Sequence, residues 1–158
     1  MNASELEYVG FWLRVWASVV DTFLLMLVVL PLALAIVGQS YLTDERMIKG
    51  PVGFLLEWLF PAAAVLAFWI ARQATPGKMA INARIVDAAT GANPTTGQFI
   101  GRYLAYYVSM IPLFLGFIWV GFDRRKQGWH DKLAGTVVVR PKQKSGPADV
   151  SFPSAPPP

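Results

Sequence analysis

The sequence predicts an all-α integral membrane protein: two transmembrane helices, a third hydrophobic segment, and a short β element on the cytoplasmic side. Three observations predict it. Apolar residues make up 54% of the chain and charged residues 15%, against about 45–50% and about 25% in a soluble domain. Mean hydropathy is +0.42. Three stretches, residues 11–37, 52–71 and 103–122, are long and almost free of charge. A helix rises about 1.5 Å per residue, so about 20 residues cross about 30 Å of hydrocarbon.

The first element runs from Phe11 to Val37, with Pro31 expected to kink its far end. Ala33-Leu34-Ala35 imitates a signal-peptide cleavage site. Against cleavage, the preceding leader carries Glu5 and Glu7 and no basic residue before Arg14. The apolar run is also too long and is interrupted by Asp21, so it is expected to remain as an anchor. Residues 39–50 form a polar loop. The second span, residues 52–71, holds Glu57 and Pro61. Proline is better tolerated in membrane helices than in soluble ones.

Ile81-Asn82-Ala83-Arg84-Ile85-Val86 partly alternates and is rich in β-branched residues, and Asp87-Ala88-Ala89-Thr90-Gly91 supplies turn chemistry. Thr136-Val137-Val138-Val139 is a second strand candidate. The two are expected to pair at the membrane surface. The organisation is then an N-terminal segment (1–10), a transmembrane domain (11–140) and a disordered tail rich in Pro, Lys and Ser (141–158).

The third hydrophobic segment, Tyr103 to Phe122, could span once, or fold back as a re-entrant hairpin around Pro112 and Gly116. Charge decides between them. A single span divides the Lys and Arg residues five to nine, and a fold-back divides them twelve to two. The positive-inside rule prefers the second division. It predicts a multi-pass protein of the inner (plasma) membrane, with the N-terminus, the tail and both strand candidates cytoplasmic. Trp12, Trp16, Trp69, Trp119 and Trp129 then lie near inner ends and Trp58 near an outer end, as in an interfacial belt.

Asp21 is the polar centre. A charge at mid-bilayer costs about 2.5–3.5 kcal/mol and marks a functional-site candidate. Arg14, seven residues earlier, shares its face but lies about 10.5 Å away along the axis. Asp21 therefore needs another partner: Ser18 one turn earlier, or Arg72 or Arg102 from other segments. Two roles are open, a polar contact that holds helices together and the handling of an ion or proton. Glu57 reads as an interfacial carboxylate.

His130-Asp131 follows a charged stretch, Asp123-Arg124-Arg125-Lys126, and reads as a surface knot in which Asp131 caps a short helix or pairs with a loop arginine. A lone histidine without spaced ligands does not predict a metal site. The absence of cysteine excludes disulfides and a Cys nucleophile, and no serine motif replaces it. No cofactor and no enzymatic activity are expected. Thr75-Pro76-Gly77-Lys78 reads as a helix-terminating turn whose lysine touches headgroups, since a phosphate loop needs a longer glycine pattern. The basic residues flank apolar spans, which predicts a lipid bilayer and not nucleic acid as partner.

Together these residues resemble the RDD family of bacterial membrane proteins. The carriers are Gly10-Phe11-Trp12-Leu13-Arg14, Asp21, Arg72-Gln73-Ala74-Thr75-Pro76-Gly77-Lys78, Ile85-Val86-Asp87 with Gly91, Arg102, and Gln127 through Thr136, over roughly residues 8–140. The resemblance implies an arginine and two aspartates as signature: Arg14, Asp21, and either Asp131 or its rival Asp123. It implies transport of an unknown ligand, with some relatives linked to sodium–proton exchange and others to membrane-protein quality control or assembly. Two functions are therefore expected: a transporter subunit for a small ion or solute, cation–proton exchange being its sharpest form, or a non-catalytic scaffold or assembly factor. Three segments make a thin wall, so a homo-oligomer or other membrane proteins are expected as partners.

Overall fold

The computed structural model describes residues 5–142, 150, 152 and 153. The remainder of the N-terminal segment and most of the tail expected to be disordered lie outside the described residues.

Three strands, β1 (Leu6–Tyr8), β2 (Arg84–Asp87) and β3 (Thr136–Pro141), form one antiparallel sheet in the order β1-β3-β2. β3 is central, with Tyr8 and Arg84 both opposite Val139. Its valines are buried on both faces. Val137 and Val139 pack with Leu6, Val86, Ala88 and Val150. Val138 packs with Val9, Trp69, Ile85 and Phe99 under the helices. A strand covered on two faces reads as a continuous apolar run, and Val-Val-Val is that run. Val150, inside the tail segment, is thus part of a core.

The helix α1 (Phe11–Val37) rises from the sheet and continues through Pro31. A short α2 (Ser40–Thr43) caps the far end. The chain returns through α3 (Gly50–Phe54), a π-helical turn (Leu55–Leu59) and α4 (Phe60–Arg72), a joined stretch of 23 residues. Pro61 has no N–H for the carbonyl four residues back, and the ladder widens to π spacing just before it. Both long stretches are apolar enough to cross a membrane.

After α4 comes α5 (Pro76–Ala80), where a turn was expected, and then β2, which begins at Arg84 rather than Ile81. A Thr95/Gln98 capping box opens α6 (Thr96–Met110). Leu113 and Phe114 adopt positive φ, and α7 (Leu115–Ile118) with a 3-10 turn (Trp119–Gly121) leaves at 114° to α6. Gly116 allows this return, because a Cβ there would lie 2.6 Å from Ser109 Cα. The helix α8 (Trp129–Leu133) then leads into β3.

The sheet explains the fold-back. Its three strands precede α1, follow α4 and follow α8, so the chain leaves and regains one face twice. The architecture is mostly helical, but a three-stranded sheet replaces the expected two strands. β1 was read only as part of a leader, since three residues beside glutamates carry little strand signal. Trp69, expected near an inner end, is fully buried against Phe99 and Tyr106 as a packing residue.

Candidate functional site

Asp131 sits at the third position of α8 and accepts a hydrogen bond from Gly128 N–H at 3.0 Å, closing the first turn. Two arginines from distant helices reach it. Arg14, in the first turn of α1, places Nη1 2.5 Å from Oδ2. Its other donors reach Val9 O at 3.0 Å and Lys126 O at 2.6 Å. Arg102 on α6 pairs with Oδ1 and donates to Thr136 Oγ1 at 2.7 Å. The Arg102 guanidinium also lies 5.4 Å from the Trp69 ring centroid. Asp131 is fully buried and Arg102 is 1% exposed. Burial alone pushes the Asp131 carboxyl up, but Arg102 and Arg14 outweigh it and hold the group well below the usual carboxylate range. The knot is therefore buried, where a surface knot was expected, and it joins both expected roles, cap and arginine partner.

His130 is packed between the rings of Tyr106 and Phe117. Burial lowers its pKa to about 3 against the pull of Asp131, so the ring is neutral at physiological pH. Ser109 Oγ lies 3.3 Å from His130 Nδ1, and His130 Nε2 lies 3.6 Å from Asp131 Oδ2. The order Ser, His, Asp is that of a hydrolytic triad, but the hydroxyl is a strut. Ser109 is fully buried, donates to Ala105 O at 3.0 Å and accepts from His130 N–H at 3.1 Å. A nucleophile needs a free, approachable oxygen.

Asp21 does not pair with Arg14, Arg72, Arg102 or Ser18. Its Oδ2 accepts from Thr75 Oγ1 at 2.5 Å and its Oδ1 from Gly77 N–H at 2.7 Å. It thus lies beside the segment that follows α4. Thr75 is the N-cap of α5 and Pro76 its first residue, an ordinary helix start. Gly77 makes the approach possible, since a Cβ there would sit 2.0 Å from Ala17 O. Arg72 is exposed in the last turn of α4. Asp123 lies apart from the knot. It pairs with Lys132 at 2.5 Å and accepts from the N–H groups of Arg125 and Gln127.

Sequence reasoning placed Lys78 in a turn touching headgroups and left it out of the candidate site. Its side chain is 8% exposed, and among the described residues its one hydrogen-bond partner is Thr75 Oγ1 at 3.3 Å. Nζ lies 5.9 Å from the Trp69 ring centroid. Burial drives its pKa down. Lys78 stands where two clefts of about 650 Å³ meet, one on each side of α1. Both are lined by Ser18, Thr22, Lys78 and Tyr106, and otherwise mostly by apolar side chains. The usable signal was Thr before Pro, which opens a helix as readily as it ends one. Among the described residues no three His, Asp or Glu side chains gather to hold a metal ion.

The RDD family model matches residues 8–135. The chain belongs to the RDD family, whose proteins are membrane proteins. It is similar to the uncharacterized protein YxaI of Bacillus subtilis, 28% identical over 146 residues that cover 82% of this chain and 95% of that one. The uncharacterized protein RP437 of Rickettsia prowazekii is 40% identical over 75 residues, 48% of this chain and 41% of its own. A proline-rich antigen homolog of Mycobacterium tuberculosis is 31% identical over 111 residues, 65% and 44% respectively. The chain therefore spans less than half of the last two. No solved structure matches.

Proposed function

We propose that this chain is a membrane-embedded binding subunit of a transporter for a small solute. It sits in the inner (plasma) membrane with the sheet and both termini cytoplasmic, and works as an oligomer or beside other membrane proteins. The observation that supports this is the pair of clefts meeting at Lys78 beside α1. Pockets of about 300–1,000 Å³ with apolar walls and a few convergent polar groups are the usual form of ligand sites. Cation–proton exchange is not the form of transport these residues favour. Such exchange needs a carboxylate free to gain and lose a proton. Asp131 is pinned between two guanidiniums.

The chain has no cysteine, so single cysteines test the reading. In protein purified in detergent and stripped of lipid, Ser18→Cys and Thr22→Cys should react with a water-soluble thiol reagent, while Leu32→Cys, which lines neither cleft, should not. Unreactive cysteines at positions 18 and 22 alongside a reactive Ser40→Cys would end it.

A scaffold or assembly factor is the second reading. It draws on α1, where only Ala17 and Ala33 are buried. A second membrane protein co-purifying at fixed stoichiometry in mild detergent, and lost on polar substitution of Val28 and Leu32, would favour it.

A further inference from the structure

We infer that the two clefts form one site for an anionic phospholipid, its headgroup at Lys78 and one acyl chain in each cleft. The inference rests on the reading of the clefts as a binding site and adds the class of ligand.

Polarity is arranged as such a molecule requires. Lys78, Ser18 and Thr22 are shared by both clefts, and Arg14 lines the first. From there the walls turn apolar and climb α1. Val19, Phe23 and Met26 line one side, and Leu24, Leu25 and Val28 the other. From Arg14 to Val28 the helix rises roughly 20 Å. The polar end lies beside the sheet and the exit of α4, where headgroups lie if α1 spans the bilayer. The apolar walls run toward the interior, as acyl chains do. Two clefts diverging from one cation fit two chains on one head.

Charge points the same way. Among the described residues at this junction, Arg14, Arg102 and Lys78 stand against Asp131 and Asp21, three positive groups against two negative, with Asp21 itself lining the second cleft. Both carboxylates are engaged: Asp131 by the arginines, Asp21 by Thr75 and Gly77. A buried ammonium with one hydrogen bond and no carboxylate in ion-pair contact is costly. A phosphate oxygen would satisfy its remaining donors with charge-assisted bonds. Trp69 adds an unused donor, because it lines the second cleft and its Nε1–H has no partner among the described residues.

Purified protein in neutral detergent, titrated by native mass spectrometry with phosphatidylglycerol and with phosphatidylcholine of the same chains, tests this. One phosphatidylglycerol should bind per chain, preferred by roughly tenfold or more, the scale of one charge-assisted hydrogen bond. Lys78→Met should abolish the preference and Lys78→Arg keep it. Thr22 is exposed on α1, so Thr22→Trp should fill both clefts and weaken binding with the melting curve unchanged. If Lys78→Met does not fold, Thr22→Trp decides.

Equal binding of the two lipids, blocked by Thr22→Trp, overturns the anionic assignment and leaves the binding-subunit reading standing. Displacement by inorganic phosphate at equal concentration reassigns the site to a free anion and overturns it too. A preference that survives both Lys78→Met and Thr22→Trp belongs to surface lysines and ends the inference. Absence of any bound lipid, with unreactive cysteines at 18 and 22, ends both readings.

Discussion

The two ends of the α1–α4 pair are held by different physics. At the sheet end, Arg14 and Asp131 meet across 117 residues of sequence, and Arg102 closes the triad. Asp131 and Arg102 are almost wholly buried there. At the opposite end, Tyr41 donates to Glu57 at 2.6 Å across only 16 residues. Lys49 joins at 3.3 Å from the same carboxylate, and both charged side chains are more than 20% exposed. The first cluster ties three helices to a sheet, while the second clips a loop to the helix beside it. Partners far apart in sequence, buried and fully engaged, fix the fold. Nearby, hydrated partners decorate it.

The largest effect should come from breaking the triad. Asp131→Asn leaves Arg14 and Arg102 facing each other without a carboxylate, and removing one member of a buried pair costs about 3–5 kcal/mol. Thermal unfolding in detergent should show a collapse. If Glu57→Gln cost as much, the contrast between the two ends would fail.

Gly77→Ala should cost up to about 3 kcal/mol as an overpacking defect, because its Cβ would press on the Ala17 carbonyl and separate α5 from α1. Gly101, with nothing within 4 Å of a Cβ, is the matched control and should accept alanine without loss.

Acid should weaken the sheet end selectively. His130 is neutral in the folded chain with its pKa lowered to about 3, so between there and the ordinary value the unfolded chain binds the extra proton and stability falls with falling pH. The slope approaches about 1.4 kcal/mol per pH unit toward the acid side, about 1.6 kcal/mol in all between pH 6.5 and 5. His130→Asn should flatten the melting temperature against pH in that window. Asp131, also held low, contributes stability that is lost only further down, below the usual carboxylate range.

The smallest effect belongs to the far end. The Tyr41 hydroxyl is held protonated, its pKa raised to about 12 by its hydrogen bond to Glu57. Tyr41→Phe removes one partly exposed bond and should cost about 1 kcal/mol or less. A loss comparable to that of Asp131→Asn would show that the clip is as essential as the triad.

Much of this was legible in the sequence, for reasons that differ by residue. The 114° bend within residues 103–122 was legible in Pro112 and Gly116, which interrupt the apolar run. The run Thr136–Val139 announced a strand. His130-Asp131 suggested a capped helix and an arginine partner, but no local rule says which arginine, and the answer lay 117 residues away. Asp21 was legible as a carboxylate in need of a partner, but Ser18, Arg72 and Arg102 were the wrong candidates, because its donors are a threonine hydroxyl and a backbone N–H, groups that no charge pattern reveals. Lys78 was legible as a lysine at the headgroups but not as a buried one, because the two clefts that meet at it are made by segments distant in sequence.

The strand order carries a consequence for biogenesis. β3 pairs with β1, which is made some 130 residues earlier, and with β2, made some 50 residues earlier. A ribosome delivers both outer strands before the one that joins them. Until then the sheet is open and Arg14 has no Asp131 to meet. The closing of β3 is then the event that locks α1 and α4 to the sheet, and a chain cut short of residue 136 would leave two strands without their shared partner.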